Sequence, residues 1–403
     1  MLLCWKTVNV AIVWAEWHPA RRLATAGGRL KTGPRLKKLP HKILLLFLLI
    51  ARCVAQTPAL IEGDFGFLQM SLSQASGLSV ETLRGAASFQ SRAFKIRGER
   101  GVDRNAGSSF TADGAYENDA PGQIAITNPR DVTGRLSARI GTGKLLLATS
   151  TDASRHELFL AARPSGSLLA GEYRGAYFRV QSGKPGALTT ALLRMKVEST
   201  KLQSATAIGH LSDFDDVNRP YNLTGARFVS ASGNNVEIDF GKEAEILSGR
   251  KRLWVADGGR LLLGASVDVG AKEIFLLAHM MTGTAQLRGT FWLAGLGAQI
   301  PFVAGGAPEL YHGLGSLRAD GAGNAVITER FQIAGKAAEI ITKNRMHFGT
   351  DGMFSLSAEL STRLNNLAVT DAPSLFVGAH VGLEGELTLD HGIFAGMQAE
   401  DPR

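Results

Sequence analysis

Few residues of this chain have types and spacings that could do chemistry. Gly141-Thr142-Gly143-Lys144 resembles the end of a phosphate-cradling loop, in which backbone amides and a lysine surround the phosphates. That loop needs glycine at 138 and serine or threonine at 145, and the chain has Ala138 and Leu145. Lys144 is read as a solvated side chain beside a turn. Gly264-Ala265-Ser266-Val267-Asp268 lacks the second glycine of a serine-nucleophile elbow and falls within an expected strand, not at a strand-to-helix turn. His156, His210, His279, His312, His347, His380 and His391 show no H-E-x-x-H motif or other paired-ligand spacing. Each is read as a surface or hydrogen-bonded structural histidine. Asp213, Asp215, Asp216 and Asn218 offer oxygen ligands of the kind calcium takes. An EF-type loop would need Asp or Asn at 217 and glycine at 218, where the chain has Val217 and Asn218. A solvated acidic turn is the reading, with calcium as the alternative. Asn222-Leu223-Thr224 matches a glycosylation acceptor, and no role is assigned to it. No catalytic, cofactor-binding or metal-ligating residue is assigned, and no cofactor is expected.

The elements that could position such residues are constrained by composition. Of 403 residues, 45% are hydrophobic, enough to bury sizeable cores, and 47 glycines against 13 prolines indicate many tight turns between short strands. The formal charge of +8 would suggest nucleic acid or anionic lipid as a partner. Its distribution removes that inference. Ten of the 44 Lys and Arg lie in residues 1–55, against the single acid Glu16, so the remainder carries a net −1 and no nucleic-acid partner is expected. Both cysteines, Cys4 and Cys53, lie in the same stretch, so a chain beginning at Gln56 has no disulfide or thiolate chemistry.

Lys37, Lys38 and Lys42 precede the apolar run Ile43–Ile50, and Cys53-Val54-Ala55 places small residues at the −3 and −1 positions of a cleavage site. Residues 34–55 thus have the three-part layout of a secretory signal, and the run is too short to span a bilayer as a helix. Membrane contact is expected only through this segment, and the mature protein is expected to be secreted, periplasmic or at the cell surface. Arg52 beside Cys53 argues against lipidation at that cysteine. Residues 1–33 lack coherent periodicity and are read as the product of a start codon placed too early, with a genuine cytoplasmic extension as the alternative.

After the signal, four landmarks recur in one order. A glycine followed by an aromatic appears at Gly63-Asp64-Phe65, Gly171-Glu172-Tyr173 and Gly289-Thr290-Phe291. A polar turn is expected at Ser109–Gly114, in degenerate form at Gly209–Asp213, and at Gly315–Gly323. A turn entering an apolar strand follows at Gly141–Leu147, Asp257–Leu263 and Asp351–Leu356. A buried-looking strand follows at Leu158-Phe159-Leu160, Ile274-Phe275-Leu276 and Leu375-Phe376-Val377. The leading glycines are 108 and 118 residues apart, while the turn-to-Phe separations are 16, 17 and 24. Asp-Gly suits a two-residue hairpin turn because both residues tolerate positive φ, so strands should flank each pair. The expected fold class is all-β: three tandem antiparallel modules, small up-and-down barrels or sandwiches, over 57–168, 169–286 and 287–397, with 398–403 as a tail. No linker separates them, so they should pack closely; a continuous β-repeat array is the architectural alternative. Glu386–Phe394 should supply a closing strand. Short helices are possible at Ser73–Ala87 and Gly335–Ile341.

At these residues the chain resembles a loose group of secreted bacterial proteins of unknown function, built from Gly-x-aromatic and Asp-Gly-x-Gly β modules. The full Asp-Gly-x-Gly stands at Asp320-Gly321-Ala322-Gly323. The resemblance implies an exported β-rich protein and carries no catalytic residue across. The first functional expectation is an exported, non-enzymatic structural, adhesive or surface-associated protein whose partner is cell-surface material. The alternatives are a carrier of a small apolar ligand inside a barrel, an outer-membrane barrel, or a secreted hydrolase with an unfamiliar site. A cavity inside one of the modules would favour the carrier.

Overall fold

The structure is a computed structural model. It describes residues 61–399, apart from 75–77, 103–106, 121, 142–144, 153, 181–187, 200, 212–218, 242–246, 268–271, 281–286, 302–306, 350–352, 359–360, 370–373 and 385–387. The chain divides into Met1–Ala59 and Leu60–Arg403, and every described residue belongs to the second unit. The signal segment, the sequence before it and the Asp213–Asn218 cluster lie outside the described residues.

The fold is all-β, with three antiparallel sheets in chain order. An N-terminal barrel comprises β1 (Gly63–Ser73), β2 (Ser79–Gln90), β3 (Ala93–Val102), β4 (Ser108–Ala120), β5 (Gln123–Asn128), β6 (Asp131–Ile140), β7 (Leu145–Ser150) and β8 (His156–Ala162). A middle sheet comprises β9 (Gly171–Val180), β10 (Leu188–Glu198), β11 (Lys201–Leu211), β12 (Arg219–Asn222), β13 (Arg227–Ser232), β14 (Asn235–Asp239), β15 (Arg250–Ala256), β16 (Leu261–Ser266) and β17 (Lys272–His279). A C-terminal barrel comprises β18 (Arg288–Pro301), β19 (Glu309–Asp320), β20 (Asn324–Ile333), β21 (Lys336–Phe348), β22 (Met353–Ala358), β23 (Ser361–Val369), β24 (Leu375–Glu384) and β25 (Thr388–Gln398). In each sheet the first strand pairs with the last: β1 with β8, β9 with β17 and β18 with β25. The two outer sheets close fully, whereas the middle one is open between β12 and β13.

The runs of consecutive apolar residues have a physical cause: strands buried on both faces have no polar side to alternate with. On β8, Phe159 and Ala161 fill the N-terminal barrel while Leu158 and Leu160 point outward. On β17, Phe275 and Leu277 face the core of the middle sheet, while Ile274 and Leu276 point away from it. On β24, Phe376 points into the C-terminal barrel, and Leu375 and Val377 point out. These outward side chains form one buried cluster to which all three sheets contribute, including Met70 of β1, Phe178 of β9 and Leu296 of β18. Each sheet thus has its own interior core, and the three share a fourth core between them.

Gly63, Gly171 and Gly289 occupy matching places at the start of β1, β9 and β18, with φ of 101°, 131° and 103°. That backbone is open to glycine and costly for other residues. The next aromatics, Phe65, Tyr173 and Phe291, are buried in the three interiors.

Several local readings are corrected. The described residues of Ser73–Ala87 and of Gly335–Ile341 form no helix: β2 buries Leu83, Ala87 and Phe89 at the period of two of a strand. Ala334 and Gly335, at φ 47° and 75°, form the turn between β20 and β21. Asp113-Gly114 is no turn but lies mid-strand in β4, and the ring of Phe94 packs where a side chain on Gly114 would sit. The N-terminal counterpart of the turn at Asp320–Gly323 is the glycine-free Ser91-Arg92, both at positive φ. Asp257-Gly258-Gly259 is a 3-10 turn within a four-residue connection, since Ala256 pairs with Leu261. In the C-terminal barrel, Met353–Leu356 belongs to the fifth strand and Phe376 to the seventh. The separation of 24 therefore spans an additional strand that the other two copies do not have at that point.

Candidate functional site

The three interiors share a polar device at one end, where the first strand finishes and the last begins. The last strand of each sheet opens with a buried acid: Glu157 on β8, Glu273 on β17 and Asp390 on β25. Each faces a hydroxyl donor. Ser71 Oγ donates to Glu157 over 3.0 Å, Tyr177 Oη to Glu273 over 2.7 Å and Tyr311 Oη to Asp390 over 2.7 Å.

In the N-terminal barrel this end is packed shut. Asn128 Nδ2 donates to Glu157 over 2.6 Å and Gln69 Nε2 donates to Asn128 over 3.1 Å. Arg130 lies between Glu157 and Glu81, and Arg100 reaches Glu81 over 2.6 Å. Burial pushes the Glu157 carboxyl upward, opposed by Arg130 and by the hydrogen bonds it accepts. Below this network Phe65, Phe67, Phe89, Phe94, Tyr116 and Phe159 fill the rest of the lumen. The middle sheet is filled as well. Lys251 pairs with Glu273, both almost wholly buried, and its ammonium lies 5.8 Å from the Phe275 ring centroid.

The interior of the C-terminal barrel holds a cavity. Phe291, Leu317, Met346, Phe354 and Phe376 pack one end. Toward the other end lies a cavity of about 100 Å³, walled by Leu293, Gly295, Tyr311, Ile327, Phe331 and Phe394, with Glu329 the one charged residue among the described residues of its lining. The space follows from glycines at lumen-facing positions. Phe291, Leu293, Gly295 and Gly297 alternate inward along β18, and Tyr311, Gly313, Gly315 and Leu317 do so along β19. Where the N-terminal barrel pairs Gln69 with Leu83 on its first two strands, this barrel pairs Gly295 with Gly313, bare backbone against which long side chains lie flat. A Cβ added to Gly313 would lie 1.7 Å from Glu329 Oε1, and one added to Gly297 would lie 2.4 Å from Tyr311 Oη. The glycines therefore seat Glu329 and Tyr311 against the wall.

Of the histidines of the sequence reading, His156, His279, His312 and His391 fall outside this lumen, and the side chains of His210 and His380 lie outside the described residues. His156 and His312 meet between the two barrels, Nδ1 to Nδ1 over 3.1 Å, and His391 Nδ1 lies 3.0 Å from Thr190 Oγ1 between the C-terminal barrel and the middle sheet. His279 lies 3.1 Å from the Ala170 carbonyl. Ser266 sits at the end of β16, 3.5 Å from the Lys251 ammonium. Among the described residues no three His, Cys, Asp or Glu side chains converge as a metal site, and no helix is long and apolar enough to cross a membrane. Sequence reasoning missed the lumen of the C-terminal barrel. Its signal was legible in outline: glycine at every second position in two successive strands, Gly295 and Gly297, then Gly313 and Gly315.

No family model matches the chain, and no curated protein matches it. Among solved structures, kievitone hydratase from Nectria haematococca aligns over 86% of this chain and 91% of its own, at 8% identity and a TM-score of 0.23. Intact Ap-TbpB, with its N and C lobes, aligns over 84% of this chain and 77% of its own, at 8% identity and a TM-score of 0.25. Superpositions this loose establish no residue correspondence and carry no functional inference.

Proposed function

We propose that this is an exported binding protein in which the C-terminal barrel receives a small ligand with an apolar body, while the N-terminal barrel and middle sheet act as its rigid support. The observation that carries this reading is the contrast between interiors: one lumen closed by aromatics and a salt-bridged network, another left open by glycines. Small-ligand sites are concave, mostly apolar and furnished with a few convergent polar groups, and here Tyr311 and Glu329 supply them. A cavity near 100 Å³ holds about three waters or a molecule slightly smaller than benzene. Export rests on the residues before Gln56, and the family resemblance points the same way.

The outer walls speak for an aqueous setting. Lys95, Arg97 and Glu99 of β3, and Lys343 and Arg345 of β21, are exposed on the outside of the barrels, the reverse of the apolar band that a lipid-facing barrel requires. The test is thermal and chemical unfolding with benzene, short alcohols and xenon. A ligand at a hundredfold its Kd should stabilise the protein by about 2.7 kcal/mol, and Leu293→Trp, which fills the lumen, should remove that gain. Absence of stabilisation by every probe, together with unchanged NMR signals from Leu293 and Phe394, would overturn the reading.

A further inference from the structure

We propose that the C-terminal barrel carries a self-pairing edge, through which two copies of this chain join β21 to β21 across a two-fold axis; the inference is independent of what the lumen binds. β21 outruns its second neighbour. β20 pairs with it over residues 336–345, whereas β22 pairs with it only over 344–348. Among the described residues no strand pairs with 336–343 on the side away from β20. The two-residue turn Ala334-Gly335 makes Ile333 and Lys336 a hydrogen-bonded pair, so the even-numbered residues of β21 bond toward β20. Met346 keeps that alternation, its N–H donating to the Gly323 carbonyl at the start of β20. Ala337, Glu339, Ile341 and Lys343 therefore turn their N–H and C=O groups to the open side, as a row that another strand can complete.

The other two sheets blunt the same place. In the N-terminal barrel β4 likewise pairs with β3 over residues 108–115 and with β5 only from Tyr116. Its outward side chains there are Ser109, Thr111 and Asp113, and Thr127 Oγ1 bonds both the N–H and the carbonyl of Ala115. In the middle sheet the edge strand β13 is short and carries a bulge between Phe228 and Ser230. β21 has neither device: its register against β20 runs without a shift, and Ile340 and Ile341 are 41% and 67% exposed. The outer face of this edge, Glu339, Ile341 and Lys343, selects the strand that fits. Antiparallel pairing centred on Ile341 sets Ile341 against its own twin and Glu339 against Lys343 on each side of the axis. Opposite charges thus face each other across the strands, with the apolar pair between them. All three residues belong to the set whose backbone groups face the open side, so each pair can exchange its N–H and C=O groups. The contact stops at Asn344, where β22 takes over.

A contact of one short strand buries less area than a permanent dimer needs, so the union should be weak and reversible, with a Kd on the order of 100 μM. The test is sedimentation velocity of the full chain from about 5 to 500 μM, over which wild type should pass from monomer to dimer. Glu339→Lys sets like charges opposite each other and should weaken association about tenfold. Glu339→Lys combined with Lys343→Glu should restore it to within about threefold of wild type. Both side chains are exposed, so the unfolding midpoint at low concentration should not move. Ile341→Pro removes an N–H that faces the open side; it should also abolish association, and it serves as the independent variant should a charge change fail to fold. A monomer at every concentration would leave this edge to a foreign strand or to none, and association that survives both Glu339→Lys and Ile341→Pro would place the contact on another surface. Either result overturns the inference. So would a double variant as weak as Glu339→Lys alone, because the register would then be wrong.

Discussion

Single buried side chains decide much of this molecule, and the acids on the closing strands show how. Glu273 accepts from Tyr177 and pairs with Lys251 inside the middle sheet, and burial together with the adjacent acid pushes the Tyr177 hydroxyl well above its ordinary range. A buried ion pair adds little net stability as a pair, yet removing one partner strands the other in a low-dielectric interior. Lys251→Met should therefore cost about 3–5 kcal/mol in urea unfolding, and Lys251→Met combined with Glu273→Gln should recover a large part of that loss. A double variant no more stable than the single one would show that Glu273 is held by its other contacts alone. These acids could not have been singled out from composition, but Glu157-Leu158-Phe159 and Glu273-Ile274-Phe275 share a pattern in which only the phenylalanine drew attention. An acid two positions before a core aromatic faces the same interior, because side chains alternate along a strand. Residue type said nothing of burial; register did.

At the scale of the strand, the apolar runs were legible as buried while their second face was not. Leu145-Leu146-Leu147 and Ile274-Phe275-Leu276 exceed what a one-sided strand needs, and period-two reasoning says only that both faces are covered. What covers the outer face is another sheet, and no local pattern encodes that. Leu276 is the test. It points away from the interior of its own sheet into the cluster shared by all three, so Leu276→Ala should cost about 2–5 kcal/mol, comparable to Phe275→Ala at about 3–5 on the inner face. Were the outer face merely solvent-covered, the first change would fall within about 0.5 kcal/mol of wild type. Turn chemistry was less legible. Ser91-Arg92 turns at positive φ without a glycine, while Asp113-Gly114, which has the expected turn pair, runs straight through β4. Glycine there answers to the Phe94 ring rather than to backbone conformation, and two causes for one residue type are indistinguishable in a sequence.

At the scale of the whole molecule, the contact between the two closed barrels contains a titratable pair that should make their union sensitive to acid. His312 Nε2 lies 2.9 Å from the Ser150 carbonyl and must donate to it, which leaves Nδ1 as an acceptor for the Nδ1–H of His156. The His312 ring is therefore neutral, and burial keeps the His156 ring neutral as well. Burial lowers the pKa of His156 to about 4, and burial together with the neighbouring imidazole lowers that of His312 to about 3. Asp152 draws both upward, Arg330 presses His312 further down, and Gln332 on β20 pairs with His312 in register. The sign follows from linkage: the unfolded chain takes up these protons near pH 6.5 and the folded one only near 4, so the stabilisation is complete above about 6.5 and drains away as pH falls. Between pH 7 and 5 the loss should be roughly 2 kcal/mol for each imidazole. Asp131 and Asp152, held low chiefly by hydrogen bonds from Thr133 and Ser154, lose their contributions at lower pH. Glu157, raised by burial, changes stability in the opposite direction as acid is added. A difference measurement removes these other groups. His156→Gln with His312→Gln keeps an amide donor and acceptor at the contact but cannot titrate, so its urea-unfolding free energy should fall less steeply than wild type between pH 7 and 5. Parallel slopes for the two proteins would mean that the imidazoles are not held neutral by the packing of one barrel on the other.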